Sequence, residues 1–447
     1  MTDTFAEVSE LARLLTSSAK GPVTISQGMI AGFGPGSLQV FFQGQAPGDV
    51  VALPIGGIRF LKSYVPKIGD AVHVLGLEGD RIIIGKVNPA YDVVPDVYEI
   101  GIADAPAYQN SWHAFGGVYG PPRYWIDVDG WVHFAGHIAG GTASGVMWTM
   151  PEGLRPNSLK RFVISRSVTT SASSWALLVN PNGNVSLENK SLPAGINLNV
   201  GLNDIRYMAE DGLADWERNH EWTPFIYTDE WTWDTSHDGY DYPAIWQRWD
   251  GLVRARGHMA GFGGNTIGYL PERASLRRYS SLFHTIEDTG TVLQNFRVDI
   301  EHFRRTMFAK TQPGANDITF DGMQWLSDVP ESALSPLQLS GSWVAYAVDG
   351  QWGNPAYYMD GYGVVHVQGL IKSGSVVNGT SVAWLPPGFR PLYKEGFIGL
   401  QGQGTSMQSC RLEVDPSDGF IRLITSGTFN NHLTLDHISF VANPNPE

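Results

Sequence analysis

Cysteine is all but missing from this sequence. Cys410 stands alone, so no disulfide can form within the chain and a disulfide-stapled scaffold is excluded. Runs of 18 or more apolar residues are missing too, which excludes a membrane-spanning helix of the ordinary kind. Positive charge is scarce: 30 Lys and Arg face 44 Asp and Glu, and a net charge of -14 repels nucleic-acid phosphate from the bulk surface. No Gly-x-Ser-x-Gly, HExxH or phosphate-cradling loop with Lys-Ser/Thr appears, so esterase, zinc-protease and P-loop readings fall away. The single cysteine leads us to expect folding in a reducing cytoplasm, or a fold that needs no staple, and the opening Met1-Thr2-Asp3-Thr4-Phe5, polar and acidic, gives no sign of a signal peptide.

What the chain has in quantity is glycine (52), proline (27) and aromatic side chains (12%), with only 17% charged residues, a mixture that points away from disorder and toward short strands and tight turns. It also has repetition. Asp129-Gly130-Trp131-Val132-His133-Phe134-Ala135-Gly136, Asp250-Gly251-Leu252-Val253-Arg254-Ala255-Arg256-Gly257 and Tyr362-Gly363-Val364-Val365-His366-Val367-Gln368-Gly369 place two glycines six residues apart in each copy. Trp112, Trp231 and Trp343 lead the copies at intervals of 119 and 112 residues, a period of whole domains and not of solenoid units. After the first glycine the pattern alternates. Val132, Phe134 and Ile138, then Val253, Ala255 and Met259, then Val365, Val367 and Ile371 form an apolar set that reads as the core face. The intervening set (Trp131, His133, Ala135; Leu252, Arg254, Arg256; Val364, His366, Gln368) reads as an outward face. The second glycine of each copy falls inside a strand and predicts a bulge or a close backbone approach. Each copy is expected to end on a similar strand, with Asn203-Asp204-Ile205-Arg206-Tyr207 matching Asn316-Asp317-Ile318-Thr319-Phe320 and Leu435-Asp436-His437-Ile438-Ser439-Phe440.

Ahead of the copies, Phe5, Val8, Leu11, Ala12 and Leu15 fall on one stripe of a helix over 4–19, with Thr4 as its cap. Residues 21–88 then carry five or six short strands with glycine turns, read as a small closed barrel in which 28–37 interrupts the first strand. A proline-bearing connector follows at 88–95.

The phrase Pro66-Lys67-Ile68-Gly69-Asp70-Ala71-Val72, closed by Ile84-Gly85-Lys86-Val87, resembles the OB-like domains of phage tail and baseplate proteins. Pro151-Glu152-Gly153-Leu154-Arg155-Pro156 and Pro386-Pro387-Gly388-Phe389-Arg390-Pro391, together with the repeated strand, resemble the β-sandwich modules of phage tail fibres and minor tail proteins; Pro271-Glu272-Arg273-Ala274 departs from that motif. The resemblance implies a virion component assembled in the host cytoplasm, packed as a homotrimer about a threefold axis. The expected fold is all-β: an N-terminal helix (1–20), an OB-like barrel with its connector (21–98) and three tandem jelly-roll-like β-sandwiches (99–215, 216–330, 331–447). Helix and barrel would dock to other tail proteins, with no nucleic acid and no membrane insertion. The sandwiches would bind a host cell-surface glycan or cell-wall polymer.

Aromatic residues carry the binding argument, because sugar rings stack their C–H faces on such side chains. The candidate contacts are Trp125, Trp246 and Tyr358, five residues before each turn glycine; Trp148, Tyr269 and Trp384, just before each proline motif; and Trp231 and Trp233 in the acidic loop 231–242. Core packing is the competing use of any position repeated in every copy. Asp229, Glu230, Asp234, Asp238 and Asp241 could serve glycoside hydrolysis only if two of them faced one another across a cleft; a solvated acidic loop is the preferred reading, so the protein is read as no enzyme and without cofactor. A polysaccharide-degrading tail enzyme and a purely structural spacer are the alternatives. His133, His137, His258 and His366 recur at related places, but no Cys, Asp or Glu at ligand spacing accompanies them, so they read as exposed strand histidines and not as metal ligands.

Overall fold

The computed structural model describes residues 23–34, 37–42, 51–54, 59–60, 71–77, 80–86 and 97–443, apart from 104, 128–129, 142–144, 165, 168–174, 189–198, 210–221, 234–238, 248–251, 262–264, 272–273, 275–279, 289–292, 302–304, 310–315, 328–333, 347–351, 361–362, 404–405 and 425–430. The helix expected over 4–19 lies outside the described residues. What is described is all-β, without an α-helix. The chain divides into two compact units, Met1–Val94 and Pro95–Glu447.

The first unit is one six-stranded sheet. Its strands are β1 (Val23–Gly34), β2 (Ser37–Phe42), β3 (Val51–Pro54), β4 (Arg59–Phe60), β5 (Ala71–Leu77) and β6 (Asp80–Lys86), in the order β3-β2-β1-β5-β6-β4. All neighbours are antiparallel except β4, which runs parallel to β6. The glycines of 28–34 do not end β1, as the sequence led us to expect. Gly28 pairs with Phe42 and Gly34 with Ser37, and the ladder only shifts register between Ile30 and Gly32. Glycine costs a strand some stability, but it also accommodates an irregular step without breaking the pairing.

In the second unit one strand order recurs three times. A four-stranded sheet in each copy sets the glycine-flanked strand (Trp131–Ala135, Leu252–Arg256, Val364–Gln368) between its hairpin partner (Arg123–Ile126, Ala244–Gln247, Ala356–Met359) and a closing strand (Arg206–Met208, Gln324–Leu326, Ser439–Val441). Tyr98–Glu99 is the outer strand of this sheet in the first copy. The opposing layer has eight strands in the second copy, in the order Ile226–Tyr227, Thr266–Tyr269, Thr306–Ala309, Leu293–Glu301, Ser281–Asp288, Asn316–Thr319, His258–Gly261, Trp231–Trp233. The third copy repeats it strand for strand: Gln338–Leu339, Thr380–Trp384, Phe420–Leu423, Ser406–Val414, Glu395–Gln403, His432–Thr434, Leu370–Lys372, Val344–Ala345. The first copy has the same order in two four-stranded pieces, except that no described strand matches Ile226–Tyr227 and the place of Ser281–Asp288 is shared by Lys160–Val163 and Arg166–Ser167.

The repeated second glycine is where the chain passes from one layer to the other. Gly136, Gly257 and Gly369 have φ of +92°, +99° and +115°, and a Cβ there would lie 2.1 Å from the Pro121 carbonyl oxygen, 2.5 Å from that of Tyr242 and 2.7 Å from the Pro355 Cα. Only glycine meets both conditions. The apolar set Val132, Phe134, Ile138 and its counterparts is buried between the layers in three separate cores. The leading tryptophans belong to these cores, each ring packed where a side chain on Gly141, Gly261 or Gly374 would clash. Cys410 is buried in the third core, where burial pushes its thiol pKa up.

Two expectations need correction. Asn316–Thr319 pairs with His258–Gly261, as Asn199–Gly201 pairs with His137–Gly140, so it is the counterpart of Asn199–Gly201 and not of the closing strand. The true closing match runs through Leu202, Phe320 and Leu435, whose amides bond the carbonyls of Gly136, Gly257 and Gly369. The second correction concerns the supposed outward face. Trp131, His133, Ala135, Leu252, Arg254, Arg256 and His366 are all buried, because this face of each copy is covered by the other copies.

Candidate functional site

The three copies grip one another in a closed cycle. Just after each closing turn stands Asn203, Asp321 or Asp436. Each accepts a hydrogen bond from its own switch glycine, at 3.0, 3.1 and 2.7 Å from the amides of Gly136, Gly257 and Gly369. Each also reaches a neighbouring copy. Asp321 accepts from the Arg161 amide at 2.9 Å, Asp436 accepts from the Leu282 amide at 3.1 Å, and Asn203 Nδ2 donates to the Gly396 carbonyl at 3.0 Å. The second copy thus holds the first, the third holds the second, and the first holds the third. Three parallel bridges repeat the cycle: Tyr240 with Leu159, Trp352 with Ser280 and Tyr119 with Lys394. The first copy needs an asparagine because its neighbour presents a carbonyl, to which a carboxylate could not donate.

Where the three inner sheets meet, polar side chains from all of them converge. His133 Nε2 donates to Asp127 at 2.8 Å, with its ring stacked on Trp125 at 5.2 Å and 4°. In the third copy His366 lies 3.3 Å from Asp360 and stacks on Tyr358 at 4.7 Å and 8°. Both aspartates also accept an amide across their turn, from Trp131 and Val364. In the second copy the position holds Arg254, which crosses to Asp127 at 3.3 Å and lies over the Trp131 ring at 4.4 Å. The closing strands add Arg206, Gln324 and Ser439. Arg206 Nη1 and Gln324 Nε2 both donate to Ser439 Oγ, at 2.9 and 3.0 Å.

This hub is electrostatically tuned for structure. Burial alone would raise Asp127, but the hydrogen bond from His133 and the guanidinium of Arg254 outweigh it and hold Asp127 at about 2. Burial lowers His133 to about 4, so at neutral pH it is an uncharged donor to an ionised carboxylate. Asp241, a hydrolysis candidate, is a buried clamp between copies: its carboxylate binds Lys160 of the first copy and lies 3.7 Å from Arg256. Burial pushes its pKa up, and the two cations more than reverse that. Asp229 and Glu230 are exposed, and Asp234 and Asp238 lie outside the described residues. Among the described residues no three His, Cys, Asp or Glu side chains converge as metal ligands do. His133, His137, His258 and His366, expected on an exposed face, are buried between copies.

Five of the eight aromatic candidates are packed inside the molecule. Trp125, Trp246 and Tyr358 face the hub, Trp231 is a core residue, and Trp148 is fully buried with its Nε1 directed at Met150 Sδ, 3.2 Å away. Trp384 is half-buried and donates to the Asp418 carbonyl at 2.8 Å. Tyr269 (45% exposed) and Trp233 (40% exposed) offer open ring surface. Trp233 meets Tyr242 edge to face at 6.2 Å. The proline motif beside Trp148 and Trp384 is a turn closed by its own arginine. Arg155 Nε donates to the Met150 carbonyl and Arg390 Nε to the Leu385 carbonyl, at 3.0 and 3.1 Å. In the second copy the turn survives without the motif, as the Ala274 amide bonds the Pro271 carbonyl.

The sequence reading missed Arg206, Gln324 and Ser439. A signal was present: each precedes an aromatic residue (Tyr207, Trp325, Phe440) on the closing strand, but it is visible only in the corrected alignment. Compared with known proteins, the chain matches no family model, no curated protein and no solved structure.

Proposed function

We propose that this protein is a component of a bacteriophage tail tip that attaches the virion to the host cell surface by multivalent binding of envelope glycans. The observation that carries the reading is the threefold display. The last strand of the large layer is an edge in every copy (Trp112–Ala114, Trp231–Trp233, Val344–Ala345), and at or beside it stand the exposed side chains of Phe115, Trp233 and Val344. Weak contacts displayed at once by copies locked in one ring gain avidity through effective concentration. Buried hydrogen bonds and ion pairs between copies support such a rigid platform. In this reading the first unit is an OB-like barrel that docks to other tail proteins, and the copies are jelly-roll-like sandwiches. The threefold arrangement that the resemblance implies between chains has a counterpart inside one chain, which provides multivalency before any homotrimer forms.

The test is adsorption of the purified protein to host cells and isolated envelope. Retention that soluble envelope glycan competes away supports the reading. Release of oligosaccharide would move it to a polysaccharide-degrading enzyme, and no retention with normal incorporation into particles would leave a structural spacer.

A further inference from the structure

A small cavity lies at the meeting point of the three inner sheets, lined by His133, Arg206, Arg254, Gln324, His366 and Ser439, with Glu395 at its side. The volume open to the centre of a water-sized particle is about 20 Å³, room for a single small occupant. The charges around it do not cancel group by group. Arg254 is matched by Asp127 at 3.3 Å, and Glu395 by Arg123 at 2.6 Å. His133 is turned to Asp127, and His366 to Asp360. Arg206 is buried with no carboxylate ion pair among the described residues; Nη1 is bound to Ser439 Oγ and Nε has no partner. The nearest acid in sequence, Asp204, accepts the Ile398 amide of the third copy at 2.9 Å and attracts Arg206 from beyond ion-pair contact. Burial raises Asp204 to about 7, so it supplies little countercharge below neutrality. Burial, and Arg254 opposite, lower Arg206 to about 10.

A buried guanidinium with no carboxylate in contact is costly. Two donors besides Arg206 Nε are available at the cavity. Ser439 Oγ already accepts from both Arg206 and Gln324, which leaves its own proton to give, and Arg254 Nε has no hydrogen-bond partner among the described residues. We propose that this axial cavity binds one monatomic monovalent anion, of the size and charge of chloride, held by Arg206 with Ser439 and Arg254. It would balance the Arg206 guanidinium, which no carboxylate among the described residues contacts, at the point where all three copies touch, and so lock the ring. The inference stands on the hub alone and does not depend on the attachment role.

Crystals of the full chain grown in sodium bromide, measured at the bromine edge, are expected to show an anomalous peak in the cavity beside the Arg206 nitrogens. A cavity holding only water, with no anomalous peak, overturns the proposal. In solution, chloride or bromide is expected to raise the thermal midpoint by ~2 °C over gluconate at equal ionic strength, since gluconate is too large to enter. Equal midpoints in halide and gluconate overturn it as well. Arg206→Met is expected to abolish the halide effect; if that variant does not fold, Ser439→Ala is expected to reduce it, and the bromide experiment needs no variant.

Discussion

The second copy differs from the first and third at the hub, and the difference shows what fusing three copies into one chain permits. In the first and third copies a turn aspartate is used on the histidine of its own hairpin, Asp127 on His133 and Asp360 on His366. In the second the histidine is replaced by Arg254, and its charge is met by Asp127 of the first copy. Three identical chains around an axis must bring identical groups together, and like charges at close range in a buried site repel. Copies within one chain can diverge until the groups that meet are complementary. The same logic placed Asn203 where Asp321 and Asp436 stand in the other copies, since its neighbour presents a carbonyl in place of an amide.

Substitutions can break this comparison or sharpen it. The largest effect is expected at the feature all three copies share. Gly136→Val, Gly257→Val and Gly369→Val each combine a positive φ with a clash against backbone, and each should cost ~4 kcal/mol or more, read as loss of soluble protein or of the cooperative unfolding transition. Next come the groups that distinguish the copies. Arg254→Met leaves Asp127 buried without its guanidinium and should cost ~3 kcal/mol in chemical denaturation. Asp360→Asn in the third copy, where the carboxylate faces the His366 ring of its own hairpin, should cost ~1 kcal/mol. Equal costs would show that the crossing ion pair does not set the second copy apart.

A third test uses pH. His437 Nε2 accepts the His284 amide at 2.7 Å across the junction between second and third copies, and burial lowers the imidazole to about 3. A base with a depressed folded pKa contributes stability that is complete above the unfolded value of ~6.5 and is lost as pH falls toward the folded one. The stability difference between wild type and His437→Asn, which can still accept that amide but does not titrate, should therefore shift by ~2 kcal/mol against the wild type from pH 7 to pH 5. A flat difference would count against the neutral acceptor. The smallest effect on stability is expected at the outer aromatics. Tyr269→Ala and Trp233→Ala should stay within ~0.5 kcal/mol while reducing adsorption to host envelope, each modestly alone and more together.

Much of a single copy could be read from the sequence. The two glycines six residues apart marked the hairpin and a close backbone approach, though not the layer switch at the second glycine, and the alternating Val132, Phe134 and Ile138 series marked the core face. The closing strand of the second copy could not be read by eye. Asn316-Asp317-Ile318 imitates Asn203-Asp204-Ile205 locally but pairs as a different strand, and hydrogen-bond register is set by partners far along the chain. The aromatic candidates failed as a group for a related reason. Repetition told us that Trp125, Trp246 and Tyr358 mattered, but not that the surface they line would be closed by other copies.

Composition and pattern alone determined the β character of the described residues and a unit used three times, because turn chemistry and period-two alternation are local and survive without a partner. Only the tertiary structure decided that the second face of each inner sheet is an interior. A side chain such as His133 or Arg254 looks solvent-ready in sequence. Its burial depends on a surface contributed by residues more than a hundred positions away, and no local pattern encodes that contact.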